Sequence, residues 1–315
     1  MTAPSLPVSW QQTLVEEVVL RAIAGHPDER PFRRERNKLY VVPEDQRDHA
    51  FGEFHATWFE RLGLGGSING ALAELPLLAA ACARCVVTRA ATRQDEGADL
   101  LVASDAEGAA ARTVLIRLCV SSFDDADNLL ATLRAELLHV ADMVDPTFGY
   151  QPALPPTDGG PSYERLLRDR YRALWDVSVA GRLARRGFVG TQQEAHAYGA
   201  FMVAFPMLSG EVVDATFQRF FSGAAHTHAD LVAFAAAPRG EQAAERLAPG
   251  GRCPLCRFPT YAPEPTPEAL PEPVVQCILA DFPAWRSDNG LCSQCADLYR
   301  SRPLSMRAVA LLPHG

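Results

Sequence analysis

Apolar residues recur at helical spacing through much of the chain, most regularly near its middle. The clearest segment begins near Asp125 or Asp127, either of which can cap a helix N-terminus, and it ends at Pro146. Its apolar positions lie three or four residues apart: Leu130, Leu133, Leu137, Val140 and Val144. This spacing places all five side chains on one side of a helix. The pattern therefore predicts a helix that is mostly buried.

Weaker versions of the same pattern predict further helices. They cover residues 10–24, 44–62, 70–82, 162–186, 191–205, 211–222 and 224–237. Three short segments rich in apolar and β-branched residues precede the long buried helix: 85–90, 98–103 and 112–120. Such runs, separated by polar stretches, favour strands joined by turns. The expected fold class is α+β, with a mainly helical body and a small antiparallel sheet.

Composition restricts the class of protein. The 315 residues are 48% hydrophobic, which is sufficient for a sizeable core, and their net charge of -8 disfavours general attraction to nucleic-acid phosphates. Arginines cluster at 33–36 and 165–172, and such runs are usually solvated faces. The N-terminal segment lacks the basic start of a signal peptide, and no apolar run approaches the roughly 20 residues of a membrane-spanning helix. We expect a cytoplasmic protein without nucleic-acid binding or membrane insertion.

Four of the eight cysteines form two Cys-x-x-Cys pairs near the C-terminus: Cys253, Cys256, Cys292 and Cys295. Two thiolates at this spacing can bind one ion from a tight turn, and two such turns supply the tetrahedral four-sulfur shell that suits zinc. With sulfur at all four positions, no site remains for water or substrate. We therefore predict a structural zinc ion, with iron bound by the same thiolates as the rival interpretation.

The cysteine pairs also predict the domain organisation. The second pair follows Asp288, Asn289 and Gly290 and is expected at the start of a helix, as in a treble-clef or zinc-ribbon module. We expect a body over residues 1–240 and a zinc-binding module over residues 241–315. Three of the four remaining cysteines are interpreted as packing residues: Cys82 and Cys85 of a third pair, and Cys277.

The long central helix carries a family resemblance. It reads LRAELLHVADMVDP and, at Ala135, Glu136 and His139, it resembles the His-Glu-x-x-His motif of zincin metallopeptidases, in which sheet strands also precede the helix. The resemblance extends loosely over residues 40–240. It implies a zincin-like fold, Glu136 as the base and His139 as a zinc ligand. The family has a histidine ligand where this chain has Ala135, which cannot bind metal, so we do not expect a working peptidase.

Nearby carboxylates supply an alternative ligand set. Asp142 and Asp145 follow His139 by three and six residues, and Asp176 lies in a later helical segment. Together with Glu136 and His139, these residues are the candidates for a second metal site. The opposing interpretation is that a lone histidine on a mostly apolar helix is a hydrogen-bonded core residue.

Three functions follow from these patterns. The first is a catalytically inactive zincin-like protein that binds zinc and acts as a scaffold or binding component for another protein. The second is a metal-dependent hydrolase with a rebuilt Glu/His/Asp site, which requires a second metal ion. The third is an accessory factor in metalloenzyme assembly, which requires a labile ion. The oligomeric state is left open.

Overall fold

The computed structural model of the protein describes residues 6–104, 110–155, 160–208, 210–223, 225–238, 247 and 250–310. The chain forms two compact units, Met1–Ala236 and Ala237–Gly315. Within the described ranges, no helix combines the length and the apolar composition that crossing a bilayer requires.

The first unit is mainly helical and contains one small sheet, which confirms the α+β fold class. Its helices are α1 (Gln12–Ile23), α2 (Glu29–Lys38), α3 (Glu44–Arg61), α4 (Gly66–Ala73), α5 (Pro76–Ala81), α6 (Ala126–Val144), α7 (Gly160–Arg185), α8 (Thr191–Ala204), α9 (Glu211–Ser222) and α10 (His228–Ala236). Its strands are β1 (Val8–Trp10), β2 (Arg84–Arg89), β3 (Gly97–Ser104) and β4 (Ala110–Leu118).

The sheet is mixed rather than antiparallel. Its strand order is β1-β2-β4-β3, with β1 parallel to β2 and β2 parallel to β4. Only β3 and β4 pair antiparallel, in a register that places Ala98 opposite Ile116. The parallel pairings arise because helices separate β1 from β2, and because β3 lies between β2 and β4 in sequence. β3 is therefore an edge strand beside β4.

Helix α6 lies at the centre of this unit, as its apolar pattern predicts. Asp125 is its N-cap and accepts a hydrogen bond from the Asn128 amide at 2.9 Å. The helix packs against α4, α5, α7 and β3. Four of the five stripe residues are buried and the fifth is half-buried: Leu133, Leu137, Val140 and Val144, with Leu130. This burial of apolar surface is the main stabilising contribution of the helix.

Other boundaries differ from the expected ones. The helix expected over 70–82 is two helices, α4 and α5, because Pro76 has no amide hydrogen and begins a new helix. Helices α7 and α9 cross very closely at Gly181, where a Cβ atom would lie 1.8 Å from the carbonyl oxygen of Phe221. Glycine is required at this crossing, because any side chain would overlap the backbone of α9.

The second unit has its own buried core. Its helices are α11 (Glu272–Asp281) and α12 (Ser293–Ala310). The core includes Leu255, Val274, Ile278, Trp285, Leu291, Ala296 and Tyr299. The Trp285 indole donates a hydrogen bond to the Gly290 carbonyl at 3.0 Å, so its polar atom is satisfied inside the core.

Candidate metal centre

The first cysteine pair lies on a tight turn. The Arg257 amide donates to the Cys253 carbonyl at 2.8 Å, and the Cys253 amide donates to the Phe258 carbonyl at 3.0 Å. These bonds curl the chain so that Cys253 and Cys256 face the same point. The turn places Arg257 at φ +65°, the left-handed region in which glycine is favoured over residues with a Cβ atom.

The second pair lies at the beginning of α12. Cys292 precedes the helix and pairs with Pro263 in an isolated antiparallel bridge, and Cys295 is in the first helical turn. The Cys295 amide donates to the Cys292 sulfur at 3.4 Å, and the Cys292 amide donates to the Cys253 sulfur at 3.4 Å. The backbone therefore directs its N–H groups at the sulfur atoms, as expected for a site that holds thiolates.

The four sulfur atoms have the spacing of a tetrahedral metal shell. All four lie within 4.8 Å of one another. The Cys253 and Cys295 sulfurs are 3.8 Å apart, and the Cys256 and Cys292 sulfurs are 3.9 Å apart. Four sulfurs placed at about 2.3 Å around one zinc ion would be separated by about 3.8 Å. The cluster thus fits a single tetrahedrally bound ion, and none of these cysteines is in a disulfide.

The thiols of this cluster differ in their readiness to ionise. Burial raises the pKa of Cys253, but hydrogen bonds from the backbone amides of Cys256, Cys292 and Leu255 outweigh it and lower the pKa to about 7. Burial raises the pKa of Cys292 and Cys295, and neighbouring thiols raise that of Cys295 further. Because metals bind thiolates, an ion entering the cluster would displace the remaining protons.

Three of the four other cysteines, Cys82, Cys85 and Cys277, are the ones that the sequence assigns to packing, and they lie apart from this cluster. Cys85 is fully buried in β2, and burial raises its pKa to about 12, so it is not a reactive thiolate. Cys82 is buried at the end of α5, and burial also raises its pKa. Cys277 is half-buried and packs against the core of the second unit. These surroundings support packing roles for all three.

On α6, the residues of the zincin-like motif make structural contacts. Ala135 is half-buried against the core. The Glu136 carboxylate accepts a hydrogen bond from the Ala98 amide on β3 at 3.2 Å, and a Cβ atom at Gly97 would lie 3.1 Å from the same carboxylate. A cavity of about 290 Å³ adjoins Glu136, but neither His139 nor Asp142 lines it.

His139 is brought next to only one of the candidate ligands. Its Nε2 atom lies 3.1 Å from Oδ1 of Asp176, whose side chain is 54% exposed. The His139 ring also packs edge-on against Trp175, with ring centroids 4.7 Å apart. This pair by itself offers two donor atoms, fewer than the three protein ligands of a catalytic zinc.

Asp142 and Asp145 have other partners. The buried Asp142 carboxylate accepts two hydrogen bonds from the Arg182 guanidinium, at 2.7 and 2.5 Å, and one from the Trp175 indole at 2.6 Å. Asp145 accepts hydrogen bonds from the hydroxyl and amide of Thr147, which lower its pKa. In the part of the chain that the structure describes, the four cysteines are the one group of His, Cys and acidic residues whose donor atoms could surround an ion.

Sequence reasoning missed the Asp142–Arg182 ion pair. Arg182 lies 40 residues after Asp142, on α7, and no spacing rule connects the two. The available signal for this ion pair was the position of Asp142 on the apolar side of α6. A buried carboxylate requires a charged partner, so its burial indicates one.

Comparison of the chain with protein-family models, with curated proteins and with solved structures found no match. The zincin resemblance therefore depends on the motif in α6, without a family match to support it.

Proposed function

We propose that the protein is a zinc-binding, catalytically inactive component that acts by binding another protein. The observation that carries the proposal is the four-sulfur cluster, whose spacing of 3.8 and 3.9 Å suits one tetrahedral zinc ion. Such an ion would connect the Cys253 turn to the beginning of α12. Its function would be structural, because no coordination position would remain for water or substrate.

The first unit supports the inactive part of the proposal. Ala135 stands where the zincin motif has its first histidine ligand, and the Asp142 carboxylate is occupied by Arg182 and Trp175. A zincin-like ancestry is supported by the arrangement of α6, which follows a sheet and contacts its antiparallel edge strand β3 through Glu136. A chain with this ancestry, whose described residues include no catalytic ligand set, is suited to binding rather than hydrolysis.

Metal content tests the proposal. Elemental mass spectrometry of the full chain should find one zinc per chain, and replacing Cys253, Cys256, Cys292 and Cys295 with serine should remove it. Cys277→Ser is the matched control, because it changes a half-buried cysteine of the same unit outside the cluster and should leave the zinc in place. Iron in place of zinc would contradict the assignment of the ion. A second ion that remains in the four-serine variant would favour a hydrolase instead.

A further inference from the structure

Helix α2 has a buried side and a strongly cationic side. On the buried side, Phe32 is almost inaccessible, and its ring lies 5.0 Å from that of Phe54 and 5.3 Å from that of Trp58. This contact anchors α2 against α3. The opposite side of the helix is left to solvent.

The solvent side includes a row of exposed residues, which we call the cationic row: Arg30, Arg34, Lys38 and Val41. At about 100° per residue, the three cations lie within about 80° of one another around the axis of α2, and Val41 lies in the 3-10 turn Leu39–Val41 that follows. All four are exposed, and Val41, just past the end of α2, is 87% exposed. Among the described carboxylates, none forms an ion pair with the three cations, whereas the neighbouring Arg33 is paired with Glu29.

The apolar end of the cationic row is held in place. The Arg47 guanidinium donates hydrogen bonds to the carbonyls of Tyr40 and Val42, at 3.4 and 3.2 Å, on either side of Val41. The Tyr40 ring packs edge-on against Phe51, with ring centroids 5.4 Å apart. Because its neighbours are fixed, Val41 can be presented to a partner with little loss of conformational entropy.

We propose that the cationic row binds an acidic helical segment of a partner protein. Arg30, Arg34 and Lys38 are four residues apart and therefore about 6 Å apart along the helix. Carboxylates at four-residue intervals on a second helix have the same spacing, so the two rows can pair one to one while Val41 contacts an apolar residue. The inference rests on the proposed protein-binding function and specifies the chemistry of the partner.

The surroundings of the cationic row favour a narrow partner. Helix α3 begins just after Val41 with three exposed carboxylates, Glu44, Asp45 and Asp48, and the whole chain has a net charge of -8. An anionic bilayer or a nucleic acid extends over a wide area and would be repelled by these groups. A single acidic helix can contact the cationic row alone.

A fluorescent peptide can test this inference on the full chain. The probe is a helical peptide of about 20 residues with Glu at every fourth position and Leu near one end. We expect saturable binding by fluorescence anisotropy in about 50 mM salt, weaker in about 300 mM salt because exposed charges are screened. The combined variant Arg30→Glu, Arg34→Glu and Lys38→Glu should bind at least about tenfold more weakly.

The matched control reverses three other exposed cations, Arg165, Arg168 and Arg172 on α7, with the same change in net charge. It should bind the peptide within about twofold of the unchanged chain. Far-UV circular dichroism establishes that both variants are folded. Absence of saturable binding in low salt, or equal losses in both variants, would overturn the inference.

The remaining outcomes identify a different occupant or a different failure. The inference would also be overturned if the chain bound phosphatidylserine vesicles or a single-stranded oligonucleotide more tightly than the peptide, and if the cationic-row variant lost that binding. A chain that contains one zinc but does not bind the peptide contradicts this inference alone. A chain without zinc contradicts the proposed function.

Discussion

Removing the charge of Asp142 should destabilise the first unit strongly. The carboxylate is only 5% exposed and accepts three hydrogen bonds, two of them from Arg182. In Asp142→Asn, the guanidinium loses its anionic partner in a buried setting, and breaking a buried pair in this way typically costs about 3–5 kcal/mol. Since the Arg182 side chain is 24% exposed and can reach water, we expect the lower end, about 3 kcal/mol.

Urea unfolding followed by circular dichroism measures this loss of free energy, and a thermal scan should show a decrease in Tm of about 6–12 °C. Asp176→Asn is the control, since its exposed pair with His139 should contribute no more than about 1 kcal/mol. Replacing both partners, with Asp142→Leu and Arg182→Met, should recover part of the stability, because no unpaired charge remains. A change below about 0.5 kcal/mol in Asp142→Asn, or an equal loss in Asp176→Asn, would refute the structural role of the pair.

Two further predictions concern a backbone strain and a buried histidine. Arg257→Gly should stabilise the second unit by about 0.5–1 kcal/mol, because glycine adopts φ +65° without the Cβ penalty. A thermal scan measures the change in stability. The control Arg252→Gly, on the same turn, should not stabilise the unit. Burial lowers the pKa of His55 below its ordinary 6.5, and nearby Arg36 lowers it further against the opposing effect of Glu16. The unfolded chain therefore protonates first, so stability should fall as pH falls through about 6.5, and His55→Leu should reduce the difference in urea midpoint between about pH 7.5 and about pH 5.5.

The sequence predicts the strongly patterned elements best. The five-residue stripe of α6 and its N-cap at Asp125 are visible locally, and the structure contains both. Helix α2 was missed because Phe32 is its only buried residue, so no apolar stripe exists to reveal it. Strand β1 has three residues, too few to show an alternation. Helix α11 was hidden by its prolines, which lie at its N-terminus, where proline is tolerated.

The candidate site also has one part that the sequence predicts and one part that it does not. Cysteine spacing expresses a local geometric requirement, and the four sulfurs do lie together. The second set of ligands depended on how α6 and α7 are rotated against each other, which the sequence does not state. In the observed rotation, Asp142 forms an ion pair with Arg182, and Asp176 is the one candidate ligand beside His139. Strand direction in the sheet was equally hidden, because it depends on the path of the chain between strands.

The contact between Glu136 and the Ala98 amide has a consequence for the solution behaviour of the protein. An edge strand offers unpaired N–H and C=O groups to strands of other molecules, and β3 adds the exposed apolar residues Leu101 and Val102. At Ala98 the carboxylate already takes the N–H group that an incoming strand would need. A second molecule pairing along β3 would have to displace a charged side chain fixed to α6. The acidic residue of the zincin-like motif thus occupies one of the backbone donors that edge-to-edge pairing along β3 would use.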